Sequence, residues 1–425
     1  VKGAAANLLV SGATLLILFV GLEGGVRLLS REDASGNVFL GQAHIPPYRL
    51  EVEATREALA AYRDRLSRDP DGIAYVFDDH LGWTPNPRFR GGTYWSAQAL
   101  RNPGRVFSAT PQGDTVRIAL FGDSFTQSLP LISVEESWGF LLERRLRGRG
   151  VPVEVLNFGV GGYGVDQAYL RWEHDGKRYN PHVVVLGFFP DDAVRNLRIF
   201  RSAGTPWTKP RFVQSDDTLT LVNYPVVPLE SVTRALQAMD SSQLGLYDSY
   251  YRAQRHNYAL TWWRLSRLFG FAEALVKESG WARGRGEWSF DFSGEAAPLT
   301  MAIVRRFKRS ARTAGATFVI LSIPSPRDAR DLAKGMEPAH AALLDSMGTV
   351  APLVRPDSAF ASYLARVSYD RIYLPDGHLS PEGDSILAGC IGAYFESVLH
   401  VEARRDTTVV GESAEDGCRV PSRGG

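Results

Sequence analysis

An α/β fold with a doubly wound parallel sheet is the class this sequence predicts, and three observations predict it. Short apolar runs near 117–121, 153–158, 183–189 and 317–323 each end at glycine, proline or a polar turn. Such runs read as strands buried on both faces, the condition of a parallel sheet covered by helices on each side. The stretches between them carry helical patterns, among them Ser133-Val-Glu-Glu136, a capping box ahead of an amphipathic segment that reaches Leu146. A parallel sheet collects the carboxyl ends of its strands along one edge, where ligands bind in open α/β folds.

The first strand, Ile118-Ala-Leu-Phe121, runs into Gly122-Asp123-Ser124, so Ser124 sits where a nucleophile would. The same tripeptide also suits an ordinary turn. The second strand runs into Asn157-Phe-Gly159-Val-Gly161-Gly162, where glycines let backbone N–H groups approach a substrate oxygen closely. The third strand ends at Pro190-Asp191-Asp192. Late in the chain, Asp376-Gly377-His378 places a carboxylate and an imidazole two residues apart, on one side of an extended segment. Asp376 can then hold Nδ1–H and leave Nε2 free as a base. Ser380 and Pro381 follow as N-cap and first helical residue.

These four ordered blocks resemble the SGNH, or GDSL-like, hydrolase superfamily. The resemblance covers about residues 116–198 and 298–398 and implies a flavodoxin-like sheet with an insertion after the third strand. It implies Ser124 as nucleophile and oxyanion donor, Gly162 as a second donor, His378 as general base then acid, and Asp376 as its orienter. The chain departs from the pattern in the third block, where relatives usually carry Gly-Asn-Asp. Asp191 stands where the Asn side chain would donate, and an ionised carboxylate cannot donate a hydrogen bond. The sequence leaves four arrangements open: a protonated Asp191, Asn196 as a substitute donor, a two-donor site at a loss of roughly 10²–10³ in rate, or a silent site. The activity implied is ester hydrolysis through an acyl-serine, with O-acetyl groups on a carbohydrate as one substrate class. The alternatives are an O-acyltransferase acting on extracytoplasmic polysaccharide and a catalytically silent glycan-binding protein. No metal or organic cofactor is needed for any of them.

The rest of the chain sets the context. A 425-residue chain with 44% hydrophobic and 22% charged residues can bury a full core and exceeds a minimal α/β domain. The net charge of +1 lacks the basic excess that nucleic-acid binding needs. Residues Gly3 to Leu22 carry no charge and suffice to cross a bilayer core. No small-x-small cleavage site follows before Arg31, so residues 1–30 are expected to be an uncleaved membrane anchor. An extracytoplasmic catalytic domain is implied by resemblance to anchored relatives. Residues 31–115 read as a stalk and small packing region with Trp83 and Trp95 as packing residues, 116–400 as the catalytic domain, and 401–425 as a polar, disordered tail. The insertion, 197–297, is rich in Trp and Tyr and reads as a lid, a substrate wall or an ordinary subdomain. Cys390 and Cys418 are the two cysteines, and sequence does not decide whether they pair. His80, His174, His182 and His256 show no ligand spacing.

Overall fold

The computed structural model describes residues 2–32, 38–41, 43–45, 51–92, 94–128, 132–200, 207–216, 218–239, 242–253, 265–278, 294–399 and 418. The chain forms two compact units: residues 62–201, 207–229 and 290–425 make the larger one, and 1–61, 202–206 and 230–289 the smaller.

The larger unit is built on five strands: β1 (Val116–Phe121), β2 (Val153–Asn157), β3 (Val183–Phe188), β4 (Thr317–Ser322) and β5 (Leu353–Val354). Every pairing is parallel, with Ile118 opposite both Val155 and Val183, Val319 opposite Val185 and Ile320 opposite Leu353. The spatial order is 2-1-3-4-5, the flavodoxin-like doubly wound order, whose switch point lies between β1 and β3. Successive side chains along β1 face opposite sides. Ala119 and Phe121 join a core with Phe307, Val304 and Leu344, while Ile118 and Leu120 join one with Trp138, Leu142 and Ile391.

Each core is capped by its own helices. The first lies under α3 (Val165–Arg171), α5 (Ala296–Thr313) and α7 (Ala341–Val350). The second lies under α2 (Trp138–Gly148), α8 (Asp357–Leu364) and α9 (Pro381–Val398). Two short helices, α1 (Ser124–Gln127) and α4 (Pro190–Arg195), begin at the carboxyl edge after β1 and β3, and α6 (Pro326–Ala333) follows β4.

Several expectations are corrected. The Ser133 capping interaction forms, with Ser133 N–H and Oγ 3.1 and 2.9 Å from Glu136 Oε2, but it closes a 3₁₀ turn over Val134–Glu136 and the α-helix begins at Trp138. The fifth strand was not anticipated. In the region read as stalk and packing, the antiparallel hairpin Tyr75–Asp78/Gly82–Pro85 belongs to the sheet-bearing unit, where Trp83 and Trp95 are fully buried. The insertion divides too. Residues 207–229 form a hairpin, Arg211–Ser215 with Thr218–Val222, in the larger unit, and Trp207 packs there against Tyr62 and Trp83. Trp281 and Trp288 lie outside the described residues, as do 401–417 and 419–425 of the tail. Cys418 is disulfide-bonded to Cys390 of α9.

In the smaller unit, the helix Lys2–Leu29 contains Val10–Leu29, a largely exposed stretch long and apolar enough to cross a membrane. Glu23 accepts from Ser266 Oγ (2.7 Å), Arg267 N (3.0 Å) and Leu268 N (2.9 Å), satisfying backbone donors that the start of helix Arg267–Glu278 leaves unpaired. A three-stranded antiparallel sheet joins Arg31–Glu32, Val38–Leu40 and Ala43–Ile45.

Candidate active site

The site is assembled at the carboxyl edge of the sheet, where β1 and β3 flank the switch point. Asp123 accepts the Phe125 N–H on Oδ1 (2.9 Å) and so caps α1, which makes Ser124 its first residue. A first-turn N–H has no partner inside the helix, and Ser124 N–H donates to none among the described residues.

The glycine turn after β2 is tied to this helix from several sides. Asn157 Oδ1 accepts the Gly159 N–H (2.9 Å) while its Nδ2 donates to Thr126 O (2.8 Å). Gln127 Oε1 accepts from Gly161 N–H (2.7 Å) and Tyr75 OH (3.0 Å), and Trp83 Nε1 donates to Gly161 O (3.1 Å). Gly159 admits no side chain, because a Cβ there would lie 2.4 Å from Gln127 N. Gly162 has φ +79°, in the left-handed region, and its N–H also donates to no described partner. Two backbone donors are thus left unspent on neighbouring turns.

The imidazole beside Ser124 arrives from the other end of the chain. The segment before α9 folds back on itself, with Leu374 N donating to His378 O (2.7 Å) and Ser380 N to Ile372 O (2.8 Å), and Ser380 Oγ accepts the Gly383 N–H (3.2 Å) to cap α9. His378 stacks on Phe125 at 4.8 Å, and Phe125 on Phe189 at 3.9 Å. Its Nε2 lies 2.9 Å from Ser124 Oγ across 254 positions of sequence. Asp376 holds the backbone of His378, accepting its N–H on Oδ1 (3.1 Å), and places Oδ2 3.2 Å from Nδ1. That second contact is electrostatic and not an aligned hydrogen bond, since Nδ1 has no hydrogen-bond partner. Asp376 is exposed and His378 partly buried.

The third block is held by Arg195, a residue the sequence reading did not single out. Its Nη1 donates to Asp123 Oδ2 (2.7 Å), Asp192 Oδ1 (2.7 Å) and Tyr163 O (3.1 Å), and Nη2 stands 3.5 Å from Asp191 Oδ2. One guanidinium therefore joins the Ser124 turn, the residue after Gly162, and the start of α4. Burial pushes the Asp191 carboxyl up, against the pull of Arg195, and the neighbouring Asp123 charge adds to the rise. Asn196 is not a substitute donor. It is fully buried, with Oδ1 accepting the Asp166 N–H (3.0 Å) and Nδ2 donating to Thr300 Oγ1 (2.8 Å), so its amide is spent in the core.

Among the described residues no group of three His, Cys, Asp or Glu side chains could hold a metal ion. His80 and His174 stack on each other at 4.5 Å, His182 Nδ1 accepts the Arg117 N–H (3.0 Å), and His256 lies outside the described residues.

In fold and in the order of its blocks, the chain resembles the SGNH hydrolases. No protein-family model matches it, and no curated protein does. Among solved structures it is similar to TesA, at 12% identity over 66% of this chain and 99% of that one, with a TM-score of 0.35. It is also similar to a two-domain esterase active on acetylated mannans, at 13% identity over 70% of this chain and 53% of the esterase, with a TM-score of 0.36. An acetylxylan esterase from Geobacillus stearothermophilus overlaps at 12% identity over 65% of this chain and 92% of its own, with a TM-score of 0.34. Overlaps this small decide nothing about chemistry, and the functional reading rests on the site itself.

Proposed function

We propose that this protein is a serine hydrolase acting on ester bonds, with Ser124 as nucleophile, His378 as general base and acid, and Asp376 as the group that orients and stabilises the imidazole. The observation that carries this reading is the 2.9 Å approach of His378 Nε2 to Ser124 Oγ, with a carboxylate oxygen 3.2 Å from the other ring nitrogen. Three groups so placed make the nucleophile, base and orienter of a triad. Solvent screens the exposed Asp376 carboxylate, and its Oδ2 is not aligned with Nδ1, so it stabilises the imidazole less than a buried, aligned carboxylate would.

In the proposed reaction the three groups act in turn. Ser124 Oγ attacks the ester carbonyl and passes its proton to His378 Nε2. The developing oxyanion faces the unspent N–H groups of Ser124 and Gly162. Collapse breaks the ester C–O bond, the departing alcohol takes the proton from His378, and water then hydrolyses the acyl-serine by the same route. Under this reading the narrower substrate is an O-acyl group, such as acetyl, on a carbohydrate outside the cytoplasm. The apolar helix supports a membrane anchor, and the Cys390–Cys418 disulfide supports an oxidising compartment. Transfer to a sugar hydroxyl would use the same residues, and product analysis with and without a polysaccharide acceptor separates the two.

The reading is tested by covalent labelling with a fluorophosphonate. Label on Ser124, absent from Ser124→Ala together with ester turnover, supports it. An intact protein that never labels, or turnover that survives Ser124→Ala, overturns it.

A further inference from the structure

In the smaller unit, the helix Arg267–Glu278 carries its apolar stripe on the outside. It packs against the helix Lys2–Leu29 and the strand Ala43–Ile45, and the residues buried on that side are small: Ser266, Gly270 and Ala274, spaced four apart. Small residues let a helix lie close to its neighbour. The larger apolar side chains point the other way. Phe269 and Leu275 are 44% and 47% exposed, Ala272 lies exposed between them, and Leu265, just before the helix, is 56% exposed. Residues three apart are neighbours on one helix surface, so 269, 272 and 275 form a single uncharged stripe. A surface helix in a water-soluble protein turns such a stripe into the core.

The level of this stripe along the N-terminal helix points to what covers it. Gly3 to Leu22 carries no charge, and Glu23 is the first charged residue after it. From there the polar contacts between the two helices begin. Glu23 pairs with Arg27 (2.6 Å) and accepts from Ser266, Arg267 and Leu268, Arg27 Nη2 donates to Leu265 O (2.6 Å), and Arg267 Nη1 donates to Ser30 Oγ (2.6 Å). Phe269 reaches to the apolar side of that boundary. Its ring centre lies 5.6 Å from that of Phe19, and Phe19 precedes Glu23 by four residues, about 6 Å along the helix axis at 1.5 Å per residue. An anchor that puts Phe19 among lipid chains puts Phe269 there as well. The depth falls within the roughly 5–10 Å to which interfacial helices bury their apolar face.

We propose that the helix Arg267–Glu278 lies in the bilayer interface, with Phe269, Ala272 and Leu275 against lipid acyl chains and Arg27 and Arg267 at the level of the headgroups. The inference rests on the membrane anchor supported above and adds to it a second lipid contact, supplied by the insertion some 240 residues further along the chain. The smaller unit is then held by a spanning helix and a surface helix joined at Glu23.

The test is nitroxide labelling of the full chain reconstituted in vesicles of phosphatidylcholine and phosphatidylglycerol. The two native cysteines are bonded to each other, so an introduced cysteine is the free thiol that takes the label. The positions are Ala272→Cys and Leu275→Cys on the stripe, Leu16→Cys in the anchor, and Ala314→Cys on the larger unit, all of them exposed, so a label displaces no packed neighbour. Spin relaxation is then measured with oxygen, which concentrates among acyl chains, and with a nickel chelate confined to water. Labels at 272 and 275 should respond to oxygen more than to nickel, as at 16, and the label at 314 should show the reverse. Nickel access at 272 and 275 equal to that at 314, with 16 still in lipid, would overturn the inference and leave the anchor standing. Protection of 272 and 275 from both reagents would also overturn it, since protein, such as a second copy of this chain, would then cover the stripe. Nickel access at 16 equal to that at 314 would overturn the anchor reading and the inference with it.

Discussion

Replacing Asp384 by asparagine should remove a built-in alkaline weakness of the fold. Asp384 lies in the first turns of α9, 1% exposed, accepting the Trp138 N–H on Oδ2 (3.1 Å) while Oδ1 has no donor. Burial lifts its carboxyl from the ordinary 3.8 to about 7, against the Ser128 hydroxyl, the Trp138 N–H and the Arg101 charge, which favour ionisation. Between those values the folded protein holds a proton that the unfolded chain has released. Stability is therefore fully present below the unfolded value and is lost as pH rises through the folded one. At about 1.4 kcal/mol per pH unit the loss is about 4 kcal/mol, on the order of 10 °C in Tm for a domain of this size. Asparagine keeps a carbonyl oxygen for Trp138 and carries no charge. Thermal melts followed by circular dichroism from pH 4 to 8 should show the wild-type Tm falling relative to Asp384→Asn, with the gap widest at pH 8. Asp191 and Asp192, also raised by burial, contribute slopes common to both proteins, so the difference isolates Asp384. Parallel profiles would refute the reasoning.

The other predictions concern separate parts of the fold. Asp376→Ala should lower kcat about 10²-fold, the low end of what a positioned acid–base group supplies, because Asp376 is exposed and its Oδ2 is misaligned with Nδ1; steady-state kinetics checks this, and no loss would remove Asp376 from the site. Gly159→Ala should cost about 1–3 kcal/mol as an overpacking change, with a larger proportional loss of turnover, since the new Cβ would press on the backbone of Gln127 at 2.4 Å and shift α1; a Tm and kcat equal to wild type would contradict it. Denatured, unreduced protein should contain no titratable thiol, and Cys418→Ser should lower stability by about 3–4 kcal/mol from the loop of 28 residues that the bond closes; two free thiols would refute the pairing.

Much of the fold could be read from the chain because parallel strands buried on both faces leave continuous apolar runs. The runs at 117–121, 153–158, 183–189 and 317–323 are β1 to β4 within a residue or so. β5 escaped because Leu353–Val354 is only two residues long, too short for any periodic signal. Ser124 and His378 could be picked out because each closes or opens an element with its own sequence signature: a strand ending at glycine and an N-cap followed by proline. Arg195 could not. An arginine three and four residues after Asp192 and Asp191 reads as ordinary helix ion pairing, and its reach to Asp123 and Tyr163 depends on β1 and β3 lying side by side in the sheet. Asn196 failed as a substitute donor for a related reason: burial against Thr300 and Asp166 is a tertiary fact that local pattern does not carry. The boundary of the larger unit at residue 62 was also hidden, since Trp83 joins the sheet-bearing core through contacts with Tyr163 and Trp207, far along the chain.

The account depends most on whether the imidazole of His378 activates the hydroxyl of Ser124. The direct measurement is the second-order rate of Ser124 phosphonylation in wild type and in His378→Gln, both confirmed folded by their melts. A rate about 10³-fold lower in the variant, with the label still mapping to Ser124 in wild type, is the expected result. Equal rates in the two proteins would show that the 2.9 Å contact does no chemistry.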